Sequence, residues 1–115
     1  MATISVVFTY PGYDKTGVYT WANLANSDVG EALPVSALAD RSVQVFGTFS
    51  AATVTIEGSN DGVNWATLTD LQGNALEIST AKIEMVTEIT RYIRPKVSAG
   101  TGASLTVVLF AKGNV

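Results

Sequence analysis

The sequence predicts a small all-β domain, an antiparallel β-sandwich of about eight or nine short strands. Three observations carry that expectation. Apolar residues recur mostly at period two, the spacing of a half-buried strand, and only weakly at the helical 3.6. Turn signals break the apolar runs, at Tyr10-Pro11-Gly12-Tyr13-Asp14, Asn26-Ser27-Asp28-Val29-Gly30, Ser59-Asn60-Asp61-Gly62, Asp70-Leu71-Gln72-Gly73-Asn74 and Ser98-Ala99-Gly100-Thr101-Gly102. The resulting spacing, roughly 8–12 residues per strand and turn, suits a sandwich or barrel. With 115 residues, of which 47% are hydrophobic, the chain can fill one core and reads as a single domain over 1–115.

The first strand spans Thr3 to Thr9, with Ile4, Val6 and Phe8 on one face. Val18 to Leu24 follows the first turn, and Ala32 to Val35 is a short extended piece. Pro34 lacks a ladder donor, which places that piece at an edge or a strand start. Residues 10–41 are the least regular part and read as an arm laid over the rest. Ser42 to Phe49 and Thr53 to Gly58 alternate cleanly, and Asp61-Gly62 predicts a tight hairpin after them. Val63 to Thr69 returns with Trp65 and Leu68, three apart, so a bulge is needed for both to reach the core. Ala75 to Ser79, Lys82 to Ile89, Arg91 to Val97 and Ser104 to Ala111 complete the set. Within Ser79 to Glu88, Ile83 and Val86 could share a helical face. Ile83, Met85, Thr87 and Ile89 alternate at period two, and the β-branched content favours a strand.

Several strands are apolar on both faces. The last has Leu105, Val107 and Leu109 on one side and Val108 and Phe110 on the other. Val7 opposes Ile4, Val6 and Phe8, and Phe46 opposes Val43, Val45 and Phe49. A half-buried strand should have one polar face. Either the arm covers these second-face residues or another subunit does. Val7, Phe46, Val108 and Phe110 are therefore the candidate subunit interface. Tyr10, Tyr13, Tyr19 and Trp21, from the irregular segment, are candidate contacts with a neighbouring protein. The charged fraction of 15% is well below the usual quarter, which favours a protein-covered surface.

Composition excludes much chemistry. The chain has no histidine and no cysteine. Disulfides, Cys/His zinc sites and His-dependent nucleophiles are ruled out, so the sequence predicts no enzyme and no cofactor. Paired carboxylates could be drawn only from Asp61, Asp70, Glu77, Glu84 and Glu88, two of which sit in turns that favour aspartate for backbone reasons. A calcium site from Asp61, Asp70 and loop carbonyls lacks the usual density of acidic ligands. A net charge of −3 with seven scattered basic residues argues against nucleic-acid and anionic-membrane partners. Neither a signal peptide nor a transmembrane segment is expected. Trp65 is expected in the core. Arg91 and Arg94 are expected at the surface, or paired with Glu84 or Glu88 across a strand.

Two resemblances follow from particular stretches. Thr20-Trp21-Ala22-Asn23-Leu24-Ala25-Asn26-Ser27-Asp28, Ala39-Asp40-Arg41, Ser42 to Phe49, Val54 to Trp65, Leu68-Thr69-Asp70, Gly73-Asn74-Ala75-Leu76 and Arg91-Tyr92-Ile93-Arg94-Pro95 resemble small virion proteins of tailed bacteriophages. That resemblance covers roughly residues 18–111. It implies a head decoration (cement) protein, made in the host cytoplasm and placed on the capsid surface. Such a protein typically forms trimers and binds the major capsid protein across capsomers. Head-completion or tail-tube proteins are the other virion places it could imply. Ile56 to Leu68 with Arg91-Tyr92-Ile93-Arg94 resembles discoidin-type jelly rolls, which implies a jelly-roll-like sandwich. Its functional implication is an alternative: a carbohydrate-binding module of a tail fibre or baseplate.

Overall fold

A computed structural model describes residues 2–9 and 16–113. The described residues form twelve strands and no helix: β1 (Thr3–Ile4), β2 (Val6–Thr9), β3 (Thr16–Leu24), β4 (Val29–Gly30), β5 (Leu33–Pro34), β6 (Asp40–Thr48), β7 (Thr53–Ser59), β8 (Ala66–Thr67), β9 (Glu77–Ile78), β10 (Lys82–Met85), β11 (Tyr92–Ser98) and β12 (Ser104–Lys112). The count exceeds the expected eight or nine because short pairings interrupt segments that the sequence joins. Thr3–Thr9 is one such segment: it breaks at Ser5 and serves both sheets.

Two sheets pack face to face as a jelly-roll-like sandwich. One has five strands in the order β10-β6-β12-β3-β2. The other has seven, along β1-β4-β11-β7-β8, with β5 also on β11 and β9 also on β7. Pairing is antiparallel except for β1 with β4, which is parallel. The chain repeatedly crosses between sheets, at β5–β6–β7 and again at β9–β10–β11–β12. Strand alternation then points Trp21, Val43, Val45, Leu105, Val107 and Leu109 of the five-stranded sheet at Val54, Ile56, Ile93 and Val97 of the other, all buried. Each such side chain contributes roughly 1.5–3 kcal/mol by leaving water.

The segment read as an arm is largely built into the sheets. β3 pairs with both β12 and β2, and β4 and β5 add to β11. Pro34 does sit in a two-residue piece, as its missing donor requires. Trp21 is core, only 1% exposed, and its indole Nε1–H donates to the Glu31 carbonyl at 3.0 Å. Gly30 makes room for it: a Cβ there would lie 2.7 Å from the Trp21 ring and 2.5 Å from Pro95. Asp28 ties down the chain start, accepting from the backbone N–H of Ala2 at 3.1 Å and of Ala25 at 2.8 Å.

Trp65 corrects its expected place. Leu68 is buried, but Trp65 lies half-buried outside the core, beneath the Arg94 guanidinium at 3.9 Å from the ring centroid. The tight hairpin is also replaced by a wider loop between Gly58 and Ala66, which pair in register. Asp61 organises it, accepting from the backbone N–H of Val63 and of Asn64, each at 2.8 Å, while Gly62 takes the positive φ of 78°. Those N–H groups, with the Asn64 amide and Ser59 hydroxyl, hold the Asp61 carboxyl well below the usual carboxylate range. Asp70 does similar work in its own loop, accepting from Gln72 N–H at 2.9 Å and Asn74 N–H at 3.0 Å.

The expected strand over Lys82 to Ile89 stops at Met85. Beyond it, Arg41 captures the chain. Arg41 is 1% exposed, and among the described residues its guanidinium faces no carboxylate at ion-pair distance. Nε donates to Leu38 O at 2.7 Å, Nη2 to Val35 O at 2.9 Å and Thr90 O at 2.7 Å, and Nη1 to Thr90 Oγ1 at 3.2 Å and Glu88 O at 3.4 Å. Five N–H groups thus have five oxygens, the full capacity of the fork. Burial lowers the pKa of the group from its ordinary value. Glu88 itself turns to Thr69, accepting from its N–H at 2.8 Å and from its hydroxyl. Burial alone would raise the Glu88 carboxyl, but the hydrogen bonds from Thr69 and from its own backbone N–H outweigh it and hold the group below its ordinary value.

Arg41→Met keeps the apolar stem and strips the donors from the Val35, Leu38 and Thr90 carbonyls. It is expected to cost about 3–5 kcal/mol, seen as a lower urea midpoint at unchanged slope. Arg41→Lys, with three donors, should recover part of the loss, and wild-type stability in Arg41→Met would show that the fork is dispensable. A second prediction concerns acid. The folded pKa values of Glu88 and Asp61 lie below their unfolded ones, so their stabilisation is full above the unfolded values. It is lost as pH falls through the depressed ones. Glu88→Gln should therefore lose less stability than wild type between about pH 5 and pH 2; equal losses in chemical denaturation would sink that assignment.

Candidate functional site

The outer faces of the two sheets differ in chemistry. That of the seven-stranded sheet is charged and carries an ion pair between Arg94 and Glu57. Arg94 on β11 meets Glu57 on β7 at 3.0 Å, not Glu84 or Glu88, while also covering Trp65. Lys96 and Glu77 flank Thr55 on the same face. Arg91 lies over the Tyr92 ring at 5.0 Å.

Among the described residues, the outer face of the five-stranded sheet carries no charge across its middle. Its composition follows from register. One row crosses the sheet as Met85, Ser42, Phe110, Val18 and Thr9; the next runs Ile83, Gln44, Val108, Thr20 and Val7. Phe46 and Thr106 stand beside each other in the row beyond. The four residues singled out in sequence, Val7, Phe46, Val108 and Phe110, thus share one surface. Exposure is 61% for Val7, 42% for Phe46 and 42% for Phe110, and Val108 is half-buried. Inward neighbours Arg41, Val43, Val45, Leu105, Val107, Leu109 and Ala111 are buried, so strand alternation forces these side chains out.

Two contributors escape the sequence pattern. Ile83 (62% exposed) and Met85 (41%) extend the face onto β10. Their period-two spacing reads as a core stripe, because a core is where apolar alternation usually points. At an edge strand the other side, with Lys82 and Glu84, need not meet the opposing sheet, and those two pair with each other at 3.5 Å. At the rim, Asp40 and Lys112 are Cα partners on β6 and β12. Together with Arg41, Ser42, Met85 and Phe110 they line a shallow depression of about 200 Å³.

The candidate aromatic contacts separate. Trp21 is buried and is not a contact residue, because its indole fills the core between the sheets. Tyr19 is half-buried and packs its ring on Phe8, with centroids 5.1 Å apart. Tyr10 and Tyr13 lie outside the described residues. The acidic candidates are likewise dispersed. Asp61 and Asp70 organise separate loops, Glu88 binds Thr69 and Glu84 binds Lys82, and no three acidic side chains gather into a metal-sized cluster among the described residues. Ser79 and Lys82 stand at Ser-x-x-Lys spacing, the pattern of a Ser–Lys nucleophile. Both are exposed, and the Lys82 ammonium is engaged by Glu84, so it is not the desolvated amine such a base needs.

No protein-family model and no curated protein sequence matches the chain. Solved structures do share its fold. The SPBc2 prophage-derived protein YomS superposes with a TM-score of 0.64 over 93% of this chain and 99% of its own length, at 12% identity. The PBSX exported protein XepA superposes with a TM-score of 0.62 over 90% of this chain, at 21% identity. This chain spans 41% of the length of XepA. Identities this low carry the fold alone: the sandwich is one that two phage-derived proteins also adopt.

Proposed function

We propose that this chain is a non-enzymatic structural protein of a bacteriophage particle, of the head decoration (cement) type. It works on the capsid surface, by contact with the major capsid protein and with copies of itself. The observation that carries the reading is the uncharged outer face of the five-stranded sheet, where large apolar side chains stand exposed on adjacent strands. Monomeric proteins rarely leave more than a few hundred Å² of contiguous apolar surface in water. The shared fold with two phage-derived proteins supports the setting. Absence of histidine and cysteine, together with carboxylates engaged in their own loops, supports a role without catalysis.

The mechanism is mechanical. A rigid sandwich contributes surface at joints of the shell, and many weak contacts act together because the lattice holds them at high effective concentration. Purified particles studied by mass spectrometry and cryo-electron microscopy are expected to carry the chain on the outer head, in numbers that follow the capsid lattice. Heads lacking it should open at a lower temperature than complete ones. Absence of the chain from particles, or density confined to the tail, overturns the proposal.

A further inference from the structure

We propose that the outer face of the five-stranded sheet seats a second copy of this chain, packed face to face about a two-fold axis that runs along the strands between β6 and β12. This deepens the assembly role proposed above and rests on the same face, but it concerns the free protein in solution.

Charge chooses the occupant. Asp40 and Lys112 are exposed neighbours at the rim, on strands that pair in register, yet they form no ion pair within one chain. A second copy supplies both complements at once, because an isologous contact makes each pairing twice. The axis follows from register. Rotation about a line along the strands lays β6 of one copy over β12 of the other without shifting the rows. Asp40 then faces Lys112 in both directions. The same rotation lays β3 over β10, so Val18 meets Met85 in the next row. Any axis across the strands would move the rim charges apart.

The axis leaves β2 outside the overlap, so four strands of each copy meet. At ~4.8 Å between strands and ~3.3 Å per residue they give a projected area of about 440 Å² per copy. A pair then covers roughly 900 Å², at the low end of specific interfaces, where association is weak and concentration-dependent. An edge contact covers far less. The face-to-face arrangement also leaves the charged outer face of the seven-stranded sheet in solvent. The family resemblance implies a trimer instead, and the mass in solution separates the two.

Size-exclusion chromatography with light scattering reads the outcome. The wild-type mass is expected at twice the 12.1 kDa of one chain. Lys112→Glu sets like charges against each other and should weaken the pair by about tenfold. The double swap Asp40→Lys with Lys112→Glu should restore it. Both positions are exposed, so circular dichroism should not change. Phe110→Glu, in the centre of the face, should give single chains. A wild-type mass of one chain throughout a dilution series, or a trimer, overturns the inference. So does a swap no better than Lys112→Glu alone. None of these outcomes bears on whether particles carry the chain, which the microscopy above decides.

Discussion

Five N–H groups on one buried guanidinium hold this sandwich in phase. Arg41 reaches from β6 to the carbonyls of Val35 and Leu38 before it and to Glu88 and Thr90 after β10. Two connections that would otherwise expose orphan carbonyls are closed by one side chain. Among the described residues no carboxylate neutralises the charge; oriented carbonyl dipoles and one hydroxyl do. An apolar replacement could not serve, since it offers no donors to those carbonyls.

The consequence reaches well beyond the two loops. With Arg41 pointing inward, Asp40, Ser42, Gln44 and Phe46 must point outward, because a strand alternates at every residue. A slip of one residue in β6 would send Val43 and Val45 into water and Phe46 into the core. β12 pairs with β6 over nine residues, so the phase passes on to Val108 and Phe110. β3 takes it from β12, and β2 from β3. The outer face is thus set by the inner one. Its apolar character is no by-product of core packing, since Thr or Lys would serve as well at Val7, Phe46 or Phe110 for folding alone.

Much of this was legible beforehand. Apolar residues at both phases of one strand cannot all reach a single core, and that excess marked Val7, Phe46, Val108 and Phe110 without any knowledge of pairing. Asp61, Asp70 and Pro34 also act locally, so their turn and edge roles could be read from neighbours in the chain. Trp21 and Trp65 could not be sorted in that way. Both are large aromatics in short extended segments, and each has a hydrogen bond or cation contact with a residue ten or more positions away. Trp21 gained the core because Gly30, which has no Cβ, leaves it space beside Pro95. Trp65 was left outside because Leu68 fills the place beneath the loop and Arg94 offers a stacking partner above.

Local chemistry in the sequence, then, determined the all-β class, the turns, the absence of His- and Cys-based catalysis and the surplus of apolar residues. These depend on residue type and on spacing within a few positions, which the chain carries in itself. Tertiary structure decided that the surplus lies on one sheet, that Ile83 and Met85 join it, and that Asp40 and Lys112 meet at its rim. Those facts depend on which strands become neighbours. Register between strands far apart in sequence is set by the packing of the core, and no single strand contains it.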